Sequence, residues 1–186
     1  IIISTVEGNV ASAMLTNADF SVCKVSLFGN DADRLFGIGN AMMIAFAFAA
    51  AYYDTILMHA SVTMNEGRGY LFLGKSGTGK STHSKLWMKH IAGSDLLNDD
   101  NPAVRFTPQG AIVYGTPWSG KTPCYRNLQV PIGAYVRLEQ HPENIICRET
   151  PLQAFASILS SCSTMMWDKP SYQHITRTVE KVVTHV

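Results

Sequence analysis

The reading turns on Tyr70–His90, YLFLGKSGTGKSTHSKLWMKH. YLFL (70–73) is a fully apolar, β-compatible run. GKSGTGKS (74–81) fits the pattern G-x-x-x-x-G-K-[ST]. STHSKLWMKHI (81–91) has helical composition, and Gly93 supplies a stop. A strand that feeds a glycine-rich loop into a helix aims unpaired N–H groups and a positive dipole end at phosphate. Gly77 and Gly79 permit backbone conformations and close approaches that a Cβ would hinder. Lys80 can reach β- and γ-phosphates, and the Ser81 hydroxyl suits Mg²⁺. The candidate nucleotide-binding set is therefore Gly74, Lys75, Ser76, Gly77, Thr78, Gly79, Lys80, Ser81 and Thr82. The implied cofactors are ATP and Mg²⁺ (or Mn²⁺).

A second stretch fits the same pattern. Gly115–Thr122, inside YGTPWSGKTP (114–123), follows the β-compatible AIVY. What leaves it is TPCYRNLQVP, where Pro123 and Pro131 bracket residues with no helical period. Pro117 also removes one N–H from the would-be cradle. The first match is expected to hold the nucleotide. The second is expected to be another part of the same site.

LLNDDNP (96–102) supplies two adjacent carboxylates, Asp99 and Asp100, at the end of a short apolar strand. Following directly after the phosphate-loop helix, that strand is expected to return beside YLFL and bring both carboxylates near the triphosphate. Mg²⁺ would relieve their mutual repulsion. The alternative is a solvated turn, for which Asp-Asp-Asn-Pro is suitable chemistry. His59, in ILMHASV, reads either as a satisfied strand histidine or as a site residue. His83, Trp87 and His90 share one helix face, and packing is the expected role.

The rest of the 186-residue chain bounds these readings. A net charge of +1 gives no global basic field to recommend nucleic acid as a partner. The longest apolar run, AMMIAFAFAAAYY (41–53), ends at Asp54 and is too short to span a bilayer. It reads as a buried helix capped by Asn40, so no membrane partner is expected. The four cysteines form no C-x-x-C pair, which argues against a zinc ribbon and for free thiols in a reducing cytoplasm. No signal peptide is visible, and the missing initiator Met leaves open that the chain is trimmed from a longer protein.

Residues 1–36 read as short strands and turns. ILMHASVTM (56–64) reads as one strand, NEGRG (65–69) as a hairpin turn, and AVRF and AIVY as a hairpin about TPQG (107–110). IGAYVRLEQ (132–140) and NIICRE (144–149) read as a third pair. Residues 152–162 and 172–185 read as helices. A single domain over 1–186 is expected, α/β in class, with a mixed, hairpin-rich sheet flanked by helices.

Together these residues resemble a known family. GKSGTGKST followed by LLNDD is similar to the kinase-type site of the HPr kinase/phosphorylase and phosphoenolpyruvate carboxykinase superfamily. HAS, LNDDNP, YGTPWSGKT and CYRN recur in that order in small bacterial HPr-kinase-like proteins, and the likeness covers roughly 38–168. The resemblance implies a phosphoenolpyruvate-carboxykinase-like P-loop domain. It implies that Asp99 is the proton-accepting carboxylate and Asp100 the metal ligand with Ser81. It brings His59 into the site, and Lys121 or Arg126 would offer positive charge to the transferred group.

The expected function is an ATP-dependent kinase that transfers the γ-phosphoryl group to a hydroxyl-bearing acceptor. Asp99, Lys80, His59, Lys121 and Arg126 are the catalytic candidates. Two alternatives stand beside it: a carboxykinase-like enzyme acting on a small acid, and a nucleotide-binding module without chemistry. A cytoplasmic location is expected, and homo-oligomerisation is left open.

Overall fold

The computed structural model describes residues 1–120 and 122–185. The chain falls into two compact units, Ile1–Tyr53 and the chain from Asp54 onward.

The first unit is a three-stranded antiparallel sheet, β1 (Ile2–Ser4), β2 (Val10–Thr16) and β3 (Cys23–Leu27), followed by helix α1 (Asp31–Ala51). The helix starts ten residues before the apolar run. Its N-cap is Asn30, not Asn40, and the Asn30 side chain and Asp33 form a reciprocal capping box. Asn40 lies mid-helix and donates to the Phe36 carbonyl. The polar first turn, DADR, conceals the start from a reading that follows hydrophobicity alone. The result is a 21-residue helix, long and apolar enough by length and composition to cross a membrane, where the apolar run alone fell short. It is not a wholly buried helix either. Ala41, Ala47, Phe48 and Ala51 are buried, whereas Leu35 and Met42 are exposed.

The second unit is mixed α/β, with a curled mixed sheet flanked by helices. Its strands are β4 (Thr55–Leu57), β5 (Ala60–Asn65), β6 (Arg68–Leu73), β7 (Asp95–Asp100), β8 (Ala103–Thr107), β9 (Gly110–Tyr114) and β10 (Gln129–Arg137). They lie in the order β4-β8-β9-β10-β6-β5-β7. Among the described residues, β10 and β6 pair in parallel and the other neighbouring strands pair antiparallel. The helices are α2 (Lys80–His90), α3 (Pro151–Leu159) and α4 (Lys169–His185).

Three sequence expectations change here. Residues 56–64 form two strands, because Met58 and His59 leave the ladder between β4 and β5. NIICRE (144–149) is not a strand, and Ile145 and Ile146 are exposed. β7 does not return beside β6. β5 lies between them, and Ser61 pairs with Phe72 on one side and Asp99 on the other.

The core explains the apolar YLFL run. Leu71, Phe72 and Leu73 are fully buried, as expected of a strand covered on both faces. On the α2 side, Trp87 packs on Tyr70 and Phe72 with ring centroids at 4.9 and 5.3 Å, and His83 meets the Phe72 ring at 4.6 Å. Burial pushes the His83 imidazole below its ordinary value, as expected of a packing residue. On α4, Ile175, Val179 and Val182 form a buried stripe at helical spacing.

Candidate nucleotide site

β6 delivers Gly74, and α2 leaves from Lys80. Gly77 and Gly79 hold φ of +84° and +106°, in the left-handed region that favours glycine. Gly79 is the α2 N-cap and provides no side-chain cap. The first-turn N–H groups, which have no intrahelical acceptor, therefore lack the usual side-chain substitute. The loop closes on itself through the Thr78 hydroxyl, which donates to the Lys75 carbonyl at 2.7 Å.

Lys80 is buried, and its ammonium donates to the Gly74 carbonyl at 2.9 Å and the Lys75 carbonyl at 3.3 Å. Its third partner is His59 Nε2 at 2.9 Å. Burial pushes the ammonium below its usual range, while the Asp100 and Asp99 carboxylates push it back up. An ammonium can only donate, so Nε2 accepts and the ring proton sits on Nδ1. That nitrogen lies 3.0 Å from Asp100 Oδ1. The His59 hydrogen bond holds the Asp100 carboxyl below its ordinary value, against the effect of burial.

Ser81 donates to Asp99 Oδ1 at 2.8 Å. Asp99 is 2% exposed, and its Oδ2 is buried without a hydrogen-bond partner. An orphaned buried carboxylate oxygen is costly unless something fills the position. The two adjacent carboxylates thus face different neighbours: Asp99 meets Ser81, and Asp100 meets His59. This differs from the order that the resemblance implies, in which Asp100 partners Ser81.

Among the described residues no group of three or more His, Cys, Asp or Glu side chains converges on one point. Those residues therefore form no all-protein cage for a metal. Mg²⁺ does not require one, because one or two carboxylates plus phosphate oxygens and waters normally complete its shell. Ser81 and the orphaned Asp99 oxygen fit that pattern.

The second loop packs against this site. Ser119 pairs with Asp100 in an isolated β-bridge, its hydroxyl donates to the Asp99 carbonyl at 3.1 Å, and the Gly120 N–H donates to the same carbonyl. Asn98 and Thr116 stitch the loop to the end of β7: Thr116 Oγ1 donates to the Asn101 carbonyl at 2.6 Å, and Asn98 Nδ2 donates to the Trp118 carbonyl at 3.2 Å. No helix leaves this loop among the described residues. Lys121 lies outside the described residues. Arg126 is not in the site: its guanidinium forms a two-pronged pair with Asp95, at the opposite end of β7 from Asp99 and Asp100.

Sequence reasoning missed Arg137. It ends β10 beside Leu73 and lines the same cleft as Gly74–Thr78 and His59. A lone arginine in a strand carries no motif, and its position depends on the parallel pairing of β10 with β6. No protein-family model matches the chain, and a search of curated proteins returns no match.

Proposed function

We propose that the second unit binds a Mg²⁺–nucleoside triphosphate at Gly74–Thr82 and transfers its γ-phosphoryl group to a hydroxyl. The observation that carries this is the meeting of Ser81 and Asp99. They come from separate elements, yet the hydroxyl and carboxylate touch at 2.8 Å and leave one buried carboxylate oxygen unpartnered. A loop that merely turned a strand into a helix would have no need of that costly arrangement.

The residues divide the work as follows. The uncapped start of α2 receives phosphate oxygens on its N–H groups. Lys80 exchanges its loop-carbonyl and His59 contacts for phosphate. Ser81 and Asp99 would hold Mg²⁺, which when bound neutralises charge on the β- and γ-phosphate oxygens. Asp100, oriented by His59, accepts the proton of the acceptor hydroxyl. The roles of the two carboxylates thus exchange places relative to the resemblance with HPr kinase, because Asp99 is the one against Ser81. The phosphoenolpyruvate-carboxykinase-like identity of the fold belongs to the same proposal, supported by the strand–loop–helix unit and the acidic pair two strands away.

Calorimetric titration of ATP, with and without Mg²⁺, is the test. Binding that depends on Mg²⁺ and is lost in Ser81→Ala supports the reading. A folded chain that binds no nucleotide would sink it. Binding without ATP consumption under any acceptor would leave only a nucleotide-binding module.

A further inference from the structure

We propose that Arg137 is a further catalytic residue, the cation that contacts the phosphoryl group during its transfer; this rests on the nucleotide-site reading above. Its place follows from the sheet. β10 runs parallel to β6, and Arg137 pairs with Leu73, the last residue before the loop. The Leu138 N–H donates to the Leu73 carbonyl at 2.9 Å. A side chain begun at Gly74 would meet the Leu138 carbonyl at 3.1 Å. The end of β10 is therefore fastened to the start of the phosphate loop.

From there Arg137 lines a cleft of about 700 Å³, shared with the loop arc Lys75–Thr78 and with His59. His59 also holds the Lys80 ammonium at 2.9 Å. In a phosphate loop that ammonium reaches the β- and γ-phosphates. The cleft thus opens on the γ end of a bound triphosphate, where an acceptor must enter in line. Among the described residues lining it, Lys75 and Arg137 are the permanent cations, and Lys75 belongs to the loop itself.

Arg137 is held ready. Its Nη1 donates to Ser157 Oγ at 3.2 Å, and its Nη2 lies 3.0 Å from Glu139 Oε1. Ser157 is buried and donates onward to Glu149 Oε1 at 2.8 Å. The guanidinium has five N–H donors in a fixed fork, more than these two contacts use. Its side chain is about half-exposed, and Glu139 is a largely exposed partner, an arrangement that yields to a phosphate oxygen.

In the transfer step the acceptor oxygen bonds to Pγ as the bond from Pγ to the β–γ bridging oxygen breaks. The electron pair leaves on the nucleoside diphosphate, and the hydroxyl proton passes to Asp100. Arg137 neutralises the charge on the remaining Pγ oxygens, which peaks between the two bonded states.

Mg-ADP with fluoroaluminate, a mimic of the phosphoryl group in flight, isolates this role without a known acceptor. The wild-type chain should bind Mg-ADP more tightly when fluoroaluminate is present. Arg137→Ala should leave Mg-ADP affinity unchanged and lose about tenfold or more of that tightening. Arg137→Lys, which keeps the charge but not the fork, should recover part of it, and it guards against a misfolded alanine variant. Full tightening in folded Arg137→Ala would overturn the proposal, as would an equal loss of plain Mg-ADP affinity. A wild-type chain that binds Mg-ADP but gains nothing from fluoroaluminate would sink the role of Arg137 and spare the nucleotide site. No Mg-ADP binding at all would sink both.

Discussion

Gly74–Ser81 and Gly115–Thr122 fit one eight-residue pattern, yet their glycines serve opposite ends. Gly77 and Gly79 have positive φ, and a Cβ placed on either would meet nothing within 4 Å. Their glycines keep space open in front of a backbone that side chains would rarely adopt. Gly115 and Gly120 have no positive φ. A Cβ at Gly115 would collide with the Arg126 carbonyl oxygen, and one at Gly120 would sit 3.0 Å from Asp100 Cβ. There the absent side chain lets backbone pack against its neighbours. A motif counts glycines, whereas chemistry depends on whether the missing Cβ leaves room for a ligand or for the protein itself.

The largest expected effect tests the acidic pair that lies between the two loops. Asp100→Asn should leave Mg-ATP binding nearly intact and lower the slow hydrolysis of ATP by water about 10²–10⁴-fold, the usual worth of a positioned base. Asp99→Asn should instead remove the Mg²⁺ dependence of binding, since an amide is a poor partner for the ion. If the two defects appear in the opposite residues, the order implied by the HPr kinase resemblance stands and the Ser81–Asp99 contact has misled.

Next in size is Lys80→Ala. It should weaken Mg-ATP binding about tenfold or more, as loss of a charged phosphate ligand would. Titration should give one nucleotide per chain. Unchanged affinity in a folded variant would remove the first loop from consideration. A second site abolished by Lys121→Ala would erase the contrast between the loops.

The glycines give a smaller, reciprocal pair of effects. Gly115→Ala should cost about 1–3 kcal/mol of stability by overpacking, with nucleotide affinity unchanged in the folded fraction. Gly77→Ala should cost about 1–2 kcal/mol through its positive φ, but it should also weaken nucleotide binding. Urea melts together with titrations separate the two. A Gly115→Ala variant as stable as the parent would show that the second loop is not wedged against the Arg126 carbonyl.

Much of this site was legible because it is local. A strand, a glycine loop and a helix occur in unbroken sequence, and periodicity with turn chemistry identifies all three. Asp99 and Asp100 stood out for the same reason. What stayed hidden depends on pairing between distant strands. Nothing in ILMHASVTM shows that β5 inserts between β6 and β7, and the same insertion puts His59 between Lys80 and Asp100. Arg137 reaches the cleft only through the parallel pairing of β10 with β6. Arg126 is the opposite case: the CYRN run contains a cation, outside any strand, whose partner, Asp95, lies 31 residues upstream at the start of β7.

That misplacement yields the smallest effect. Arg126 carries the carbonyl that Gly115 accommodates, while its side chain reaches away from the phosphate loop to Asp95. Arg126→Ala should therefore leave nucleotide affinity and ATP hydrolysis unchanged. Both partners are more than a third exposed, so screening by solvent limits the pair to about 0–1 kcal/mol of stability. The pH dependence fixes its sign. The hydrogen bond from Arg126 holds the Asp95 carboxyl below its ordinary 3.8. A carboxylate depressed on folding stabilises the native state above its unfolded value, and that contribution is lost as pH falls through the lower folded value. The stability difference between Arg126→Ala and the parent should thus be constant from neutrality down to about pH 5. It should shrink below pH 4, where protonation of Asp95 removes the pair from the parent as well. A difference that instead grows on acidification would mean that Asp95 is not the partner. A loss of ATP hydrolysis at neutral pH in a folded Arg126→Ala would return Arg126 to the transferred phosphoryl group, and the contrast drawn between it and Arg137 would fail.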